Sequence, residues 1–121
     1  MRLLKIFLLA VVLVAVVQSP ALAKSVKCTF INETEQTINE LYITPVDKTG
    51  WGKNLLSTPL NFHDTTTFKY STKKNLYNVK VVFASGEEFA AAKVDLSGAE
   101  HIDIYFDVAD ENYRISKNSV G

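Results

Sequence analysis

The chain has one cysteine, Cys28, so it cannot close an internal disulfide, and any domain it forms must stand on burial alone. It has no excess of charge of either sign, with thirteen Lys and Arg against thirteen Asp and Glu. That balance removes the electrostatic reason to expect nucleic acid or an anionic membrane as partner. Its two histidines, His63 and His101, lack the paired spacing of a zinc site. No serine sits in a nucleophile elbow. There is no internal repeat, no low-complexity segment and no long amphipathic helical period.

What is present begins with Arg2 and Lys5, an unbroken apolar run from Ile6 to Val17, and Ala21-Leu22-Ala23. The run is too short to span the ~30 Å hydrocarbon core of a bilayer. A basic start, a short apolar stretch and a small-x-small site together describe a secretory signal peptide, residues 1–23, cut after Ala23. Lys24 then becomes the first residue, where a lipid anchor would need cysteine. Removal of the segment takes away two basic residues and no acidic ones, leaving eleven against thirteen, a net charge of −2 on 98 residues. That length suits one domain with a modest core. The expected location is periplasmic or secreted.

The rest of the chain alternates with period two. Val26, Cys28 and Phe30 share one face, as do Phe68 and Tyr70, then Tyr77, Val79, Val81 and Phe83, then Ile102, Ile104 and Phe106. Each set reads as a half-buried strand. Turn signals separate them at 32–36, 46–52, 71–75, 85–87 and 97–98, and "KVVFASGEEFAAAKV" reads as a hairpin across its serine-glycine turn. In "TINELYIT" the adjacent Leu41 and Tyr42 break the alternation, which predicts a bulge or a strand covered on both faces. The alanine-rich "EFAAAKV" is read as a strand because it is short and turn-bounded. The pattern predicts an all-β fold, an antiparallel β-sandwich of six to seven strands over 24–107. Residues 108–121 form a polar C-terminal tail, frayed or a weak edge strand.

Chemistry is sparse. Cys28 lies on the face of Val26 and Phe30, where a thiol is a small buried hydrophobe rather than a nucleophile. His63-Asp64 and His101 read as exposed single histidines, and Asp107, Asp110 and Glu111 as a solvated acidic turn rather than a calcium loop. Asn32-Glu33-Thr34 matches a glycosylation acceptor, which matters only in a eukaryotic secretory route. No catalytic residue, cofactor or metal ligand is expected. The candidate binding loop is "VDKTGWGKN", with Asp47, Lys48, Trp51, Lys53 and Asn54. Gly50 and Gly52 permit sharp turns on both sides of the one tryptophan, and Leu55 and Leu56 supply a helical turn or short extended piece before Pro59. The preferred reading buries the indole as a plug closing one end of the sandwich; the alternative exposes it as a stacking platform.

"TFINETEQTINELYITPVDKTGWGKNLLSTPL", with "LYNVKVVFASGEEF" and "KVDL", resembles a family of small secreted bacterial proteins, mostly of unknown function, with a Trp-Gly-x-Asn/Asp-Leu-Leu motif. The resemblance covers about Phe30 to Phe106 and implies a small β-sandwich, with no ligand or reaction to carry over. Where that family has aspartate after the tyrosine, Tyr77 is followed here by Asn78. The functional expectation is an exported, monomeric, non-enzymatic binding or interaction module with a protein or glycan partner, no nucleic acid and no membrane contact after cleavage. An inhibitor or immunity-type protein acting on an exported enzyme is the alternative, and a hydrolase the third reading. Intact-mass measurement of the exported protein should give a chain beginning at Lys24; a species retaining Phe7 to Val17 would mean a membrane anchor instead.

Overall fold

The computed structural model describes residues 25–118, so the expected signal segment lies outside the described residues. Seven strands follow in order: β1 Ser25–Asn32, β2 Ile38–Pro45, β3 Thr65–Ser71, β4 Leu76–Phe83, β5 Glu88–Asp95, β6 His101–Asp107 and β7 Asn112–Asn118. They form a four-stranded sheet ordered β3-β1-β6-β7 and a three-stranded sheet ordered β2-β4-β5. Among the described residues there is no helix. The all-β sandwich expected from the period-two pattern is what the chain adopts, and "EFAAAKV" is a strand despite its alanines.

The alternating faces meet between the sheets. Cys28, Phe30, Ile102 and Ile104 from one sheet and Ile38, Leu41, Val79, Val81 and Phe83 from the other are at most 1% exposed. The transition from β5 to β6 adds Leu96 and Ala99 to the same core. Burying a large aliphatic or aromatic side chain contributes roughly 1.5–3 kcal/mol, so this set is the main source of stability in a chain without a disulfide. Cys28 is 0% exposed, and burial pushes its thiol up to about 11.

Three features depart from, or sharpen, the sequence pattern. Strand β1 runs parallel to β6, with Thr29 opposite His101 and Asn32 opposite Ile104, so the sandwich is not wholly antiparallel. The two strands are separated in sequence by an excursion through both sheets, and such a connection imposes no hairpin direction. The bulge in "TINELYIT" falls between Ile38 and Glu40, earlier than Leu41-Tyr42. It resets the parity so that Leu41 points inward and Tyr42 outward. The domain also continues past 107: β7 pairs with β6 from Asp107–Asn112 to His101–Asn118. Its composition is polar because an edge strand needs an apolar residue only on its inner face, and Tyr113 and Ile115 provide that.

A second bulge, between β4 and β5, places Lys93 at φ 57° and directs its N–H to Asn78 Oδ1 at 3.1 Å. Asn78 is thus part of the sheet geometry. The other free edge of the small sheet, β2, is covered by residues 54–60: Leu55 N–H donates to Leu41 O at 2.8 Å, and Ile38 and Leu60 exchange two bonds at 2.9 and 2.8 Å. Covering or kinking an edge prevents it from templating another chain.

Thiol labelling of native protein at neutral pH should be slow and limited by opening of the fold, because Cys28 is both buried and almost wholly protonated. Denaturant should accelerate it by orders of magnitude. Rapid labelling of the native state would place Cys28 on the outer face and shift β1 by one residue.

Candidate functional site

Strand β1 ends in Asn32, an amide with 0% exposure. A buried amide is tolerated only when its donors and acceptors are paired. Here Nδ2 donates to Gln36 O and to Leu60 O, both at 2.9 Å, while Oδ1 accepts from Thr34 N at 2.9 Å and Thr34 Oγ1 at 2.7 Å. Its backbone accepts from His63 N–H at 2.7 Å and donates to Asp64 O at 3.1 Å. One residue therefore fixes both the 33–37 loop and the 60–64 segment. Its burial also leaves the glycosylation match unreachable in the folded chain.

Those two segments form the walls of an open groove of about 560 Å³, lined by Glu33, Glu35, Phe62, Tyr105, Phe106 and Val108 among others. The floor is Tyr113, whose ring packs on Phe83 at 4.7 Å, Phe89 at 5.9 Å and Phe106 at 5.2 Å, the last edge-on at 76°. Its hydroxyl accepts from the Gln36 amide and donates to Glu87 Oε1 at 3.3 Å. Burial first, then the Glu87 charge, raises the Tyr113 phenol, so it remains a donor at neutral pH. This aromatic cluster, bridging the two sheets, closes that end of the sandwich.

Phe106 has the same parity as Ile102 and Ile104, yet it is 45% exposed where they are 0%. Phe62 and Val108 beside it are 48% and 79% exposed. Phe62 stacks on His63 at 3.7 Å, and His63 Nε2 lies 3.3 Å from Glu33 Oε2. Sequence reasoning placed Phe106 in the core by alternation and missed this site. The one available signal was the isolated, apolar Val108 in an otherwise polar turn.

The candidate loop is arranged differently. Gly50 and Gly52 sit at φ 79° and 74°, as their flanking of Trp51 suggested. The indole is not a buried plug. It lies half-buried on the outer face of the small sheet, 6.4 Å from the Tyr42 ring, with Lys80 Nζ 5.2 Å from the indole centroid and 5.0 Å from that of Tyr42. The bulge that turned Tyr42 outward created this seat. Lys80 also faces Glu88 Oε1 at 3.6 Å. Thr44 Oγ1 donates to Trp51 O at 2.6 Å, pinning the loop over the sheet.

Asn54 Oδ1 accepts from Leu41 N at 2.9 Å and Leu56 N at 3.0 Å, so its side chain locks the edge cover of β2. Leu55 and Leu56 follow as an extended piece packed on the core, without a helical turn. Asp47 pairs with Lys74 of the β3–β4 turn, whose ammonium holds its carboxyl below the usual range. Lys48 and Lys53 are exposed. The Trp-Gly-x-Asn-Leu-Leu stretch thus acts mainly as a clamp on β2.

Asp107 and Asp110 both engage Arg114, Asp107 Oδ2 at 2.8 Å from Nε. Among the described residues no group of three or more His, Cys, Asp or Glu side chains is placed to hold a metal ion. No helix among them is long and apolar enough to cross a membrane.

This geometry defines a seven-stranded β-sandwich with one aromatic groove at its end. No family model matches the chain, and neither does any curated protein. Among solved structures it is similar to the NMR structure of a protein from Eubacterium rectale, at 21% identity and a TM-score of 0.58, over 78% of this chain and 89% of that one. That likeness extends to the fold alone. A structure titled "Trapped Toxin" matches at 14% identity and a TM-score of 0.43, and the cytotoxin suilysin from Streptococcus suis at 12% and 0.41. The chain spans 24% of the length of each of these two.

Two substitutions separate the clamp from the groove's frame. Trp51→Ala should cost about 1–2 kcal/mol, since only part of the indole area and one surface cation–π contact are lost. The wild-type emission should be open to acrylamide quenching. Asn32→Ala should cost about 3 kcal/mol or more, because it strands buried carbonyl and amide groups that water cannot reach. Chemical denaturation of both variants checks the order; a larger loss at Trp51 would restore the plug.

Proposed function

We propose that the chain is a non-catalytic binding module, exported to the periplasm or beyond the cell after loss of residues 1–23, that takes its partner at the groove around Phe106. The observation that carries this reading is the convergence of Phe62, Phe106 and Val108, 48%, 45% and 79% exposed, on the rim of one cavity. Contiguous exposed apolar groups rimmed by polar residues mark binding surfaces. The groove is also held stiffly, since Asn32 and Tyr113 tie its walls and floor to both sheets. Stiffness lowers the entropic cost of binding.

The loop from Asp47 to Asn54 is the weaker candidate because its distinctive groups are already engaged within the chain. Titration of isotope-labelled protein with panels of short peptides and of oligosaccharides should shift amides at 34–36, 62–63 and 106–109. Shifts confined to 46–54, or turnover of a panel member, would overturn the proposal.

A further inference from the structure

The chain is neutral overall, but its charge is divided between the two ends of the sandwich. Asn32, Ile38, Phe83 and Asp107 bring four connections to the groove end: 33–37, 61–64, 84–87 and 108–111. These hold Glu33, Glu35, Asp64, Glu87, Asp110 and Glu111 and not one Lys or Arg. At the opposite end, 46–53, 72–75 and 96–100 hold Lys48, Lys53, Lys73 and Lys74 against Asp47 and Glu100. The one guanidinium beside the groove, Arg114, is engaged by Asp107 and Asp110. The groove thus pairs exposed apolar side chains with an acidic field.

The neutral polar groups around the groove are largely committed. The Gln36 amide serves Tyr113, Glu87 and Ser85, and the Thr34 hydroxyl serves Asn32 and Gln36 O. A sugar ring needs paired donors and acceptors at fixed positions; the Tyr105 hydroxyl apart, what the groove leaves for a ligand is carboxylate, chiefly the exposed Glu35. A carboxylate rim also repels anionic lipid and nucleic acid.

Resting on the groove as the binding site, we infer that its occupant is a basic, apolar polypeptide segment, whose apolar side chains seat on Phe62, Phe106 and Val108 while Lys or Arg side chains meet Glu33 and Glu35. Glu33 exchanges its contact with His63 for the incoming cation. The complementary field speeds encounter and rejects acidic partners, while the aromatic contacts set the lifetime of the complex.

The test uses three synthetic peptides with blocked ends: KLFKLK, its charge-reversed counterpart ELFELE, and KSSKSK, which keeps the charge without the apolar groups. Titration of the exported chain, followed by calorimetry and by amide shifts, should give binding of KLFKLK at the groove about tenfold or more tighter than either control. That affinity should fall as salt rises. Glu35→Gln and Val108→Ser, both at exposed positions, should each weaken it about tenfold, with Lys73→Gln at the far end leaving it unchanged. Equal or tighter binding of ELFELE overturns the inference. If oligosaccharides shift groove amides and KLFKLK does not, the inference fails and the groove stands as the binding site. If no ligand shifts the groove, both fail. Concentration-dependent self-association that Val108→Ser abolishes would make a second copy of the chain the occupant and overturn the basic-segment inference.

Discussion

Both N–H groups and both lone-pair positions of the Asn32 amide are used inside the protein, and much of what lies at that end of the molecule hangs on them. The side chain sits where a strand of the large sheet gives way to the loop that feeds the small one. It binds that loop and, through Leu60 O, the segment that later returns toward β3. No water is needed to satisfy it, and no smaller polar residue reaches all four partners. A buried, fully paired network of this kind favours one arrangement over others, because every alternative leaves some member unpaired in low dielectric. The position of Phe62 follows from it, and so does the width of the groove.

The two ends of the sandwich have different physical characters. At one, aromatic rings from β4, β5, β6 and β7 stack between the sheets and leave Phe106 partly uncovered. At the other, lysines gather around a loop that folds back on the sheet's outer face. The long β2–β3 connection serves both. Its first half, through Trp51 and Asn54, clamps the edge of β2, and its second half, through Leu60 to Asp64, reaches Asn32 and the groove. That division accounts for the tryptophan between two glycines: the glycines adopt the positive φ that lets the chain double back, and the indole seats it on Tyr42 and Lys80.

Particular residues show where a sequence pattern suffices and where it fails. Cys28 and Phe30, or Val79 and Val81, alternate in uninterrupted runs, and their burial follows because a strand side chain has only two directions. Tyr42 could not be placed that way, since a bulge three residues earlier resets the count and a bulge leaves little trace in composition. Strand β7 is the edge strand that was one of the two expectations for the polar tail, and its pattern was weak because one covered face asks for only two apolar residues. Among the candidate loop residues, Trp51 and Asn54 owe their distinctive place to backbone and edge geometry. Phe106 was legible as inward-facing and illegible as exposed.

Taken alone, the sequence determined the fold class, the two-faced strands, the buried thiol and the turn positions, all consequences of local periodicity and turn chemistry. Tertiary structure alone decided the parallel pairing of β1 with β6, the seat of the indole and the placing of six acidic loop residues and three exposed apolar side chains at one end of the sandwich. These depend on which sheet each strand joins and on where each strand ends. Pairing partners and strand ends are set by long-range packing between residues far apart in the chain, and no window of neighbouring residues contains that information.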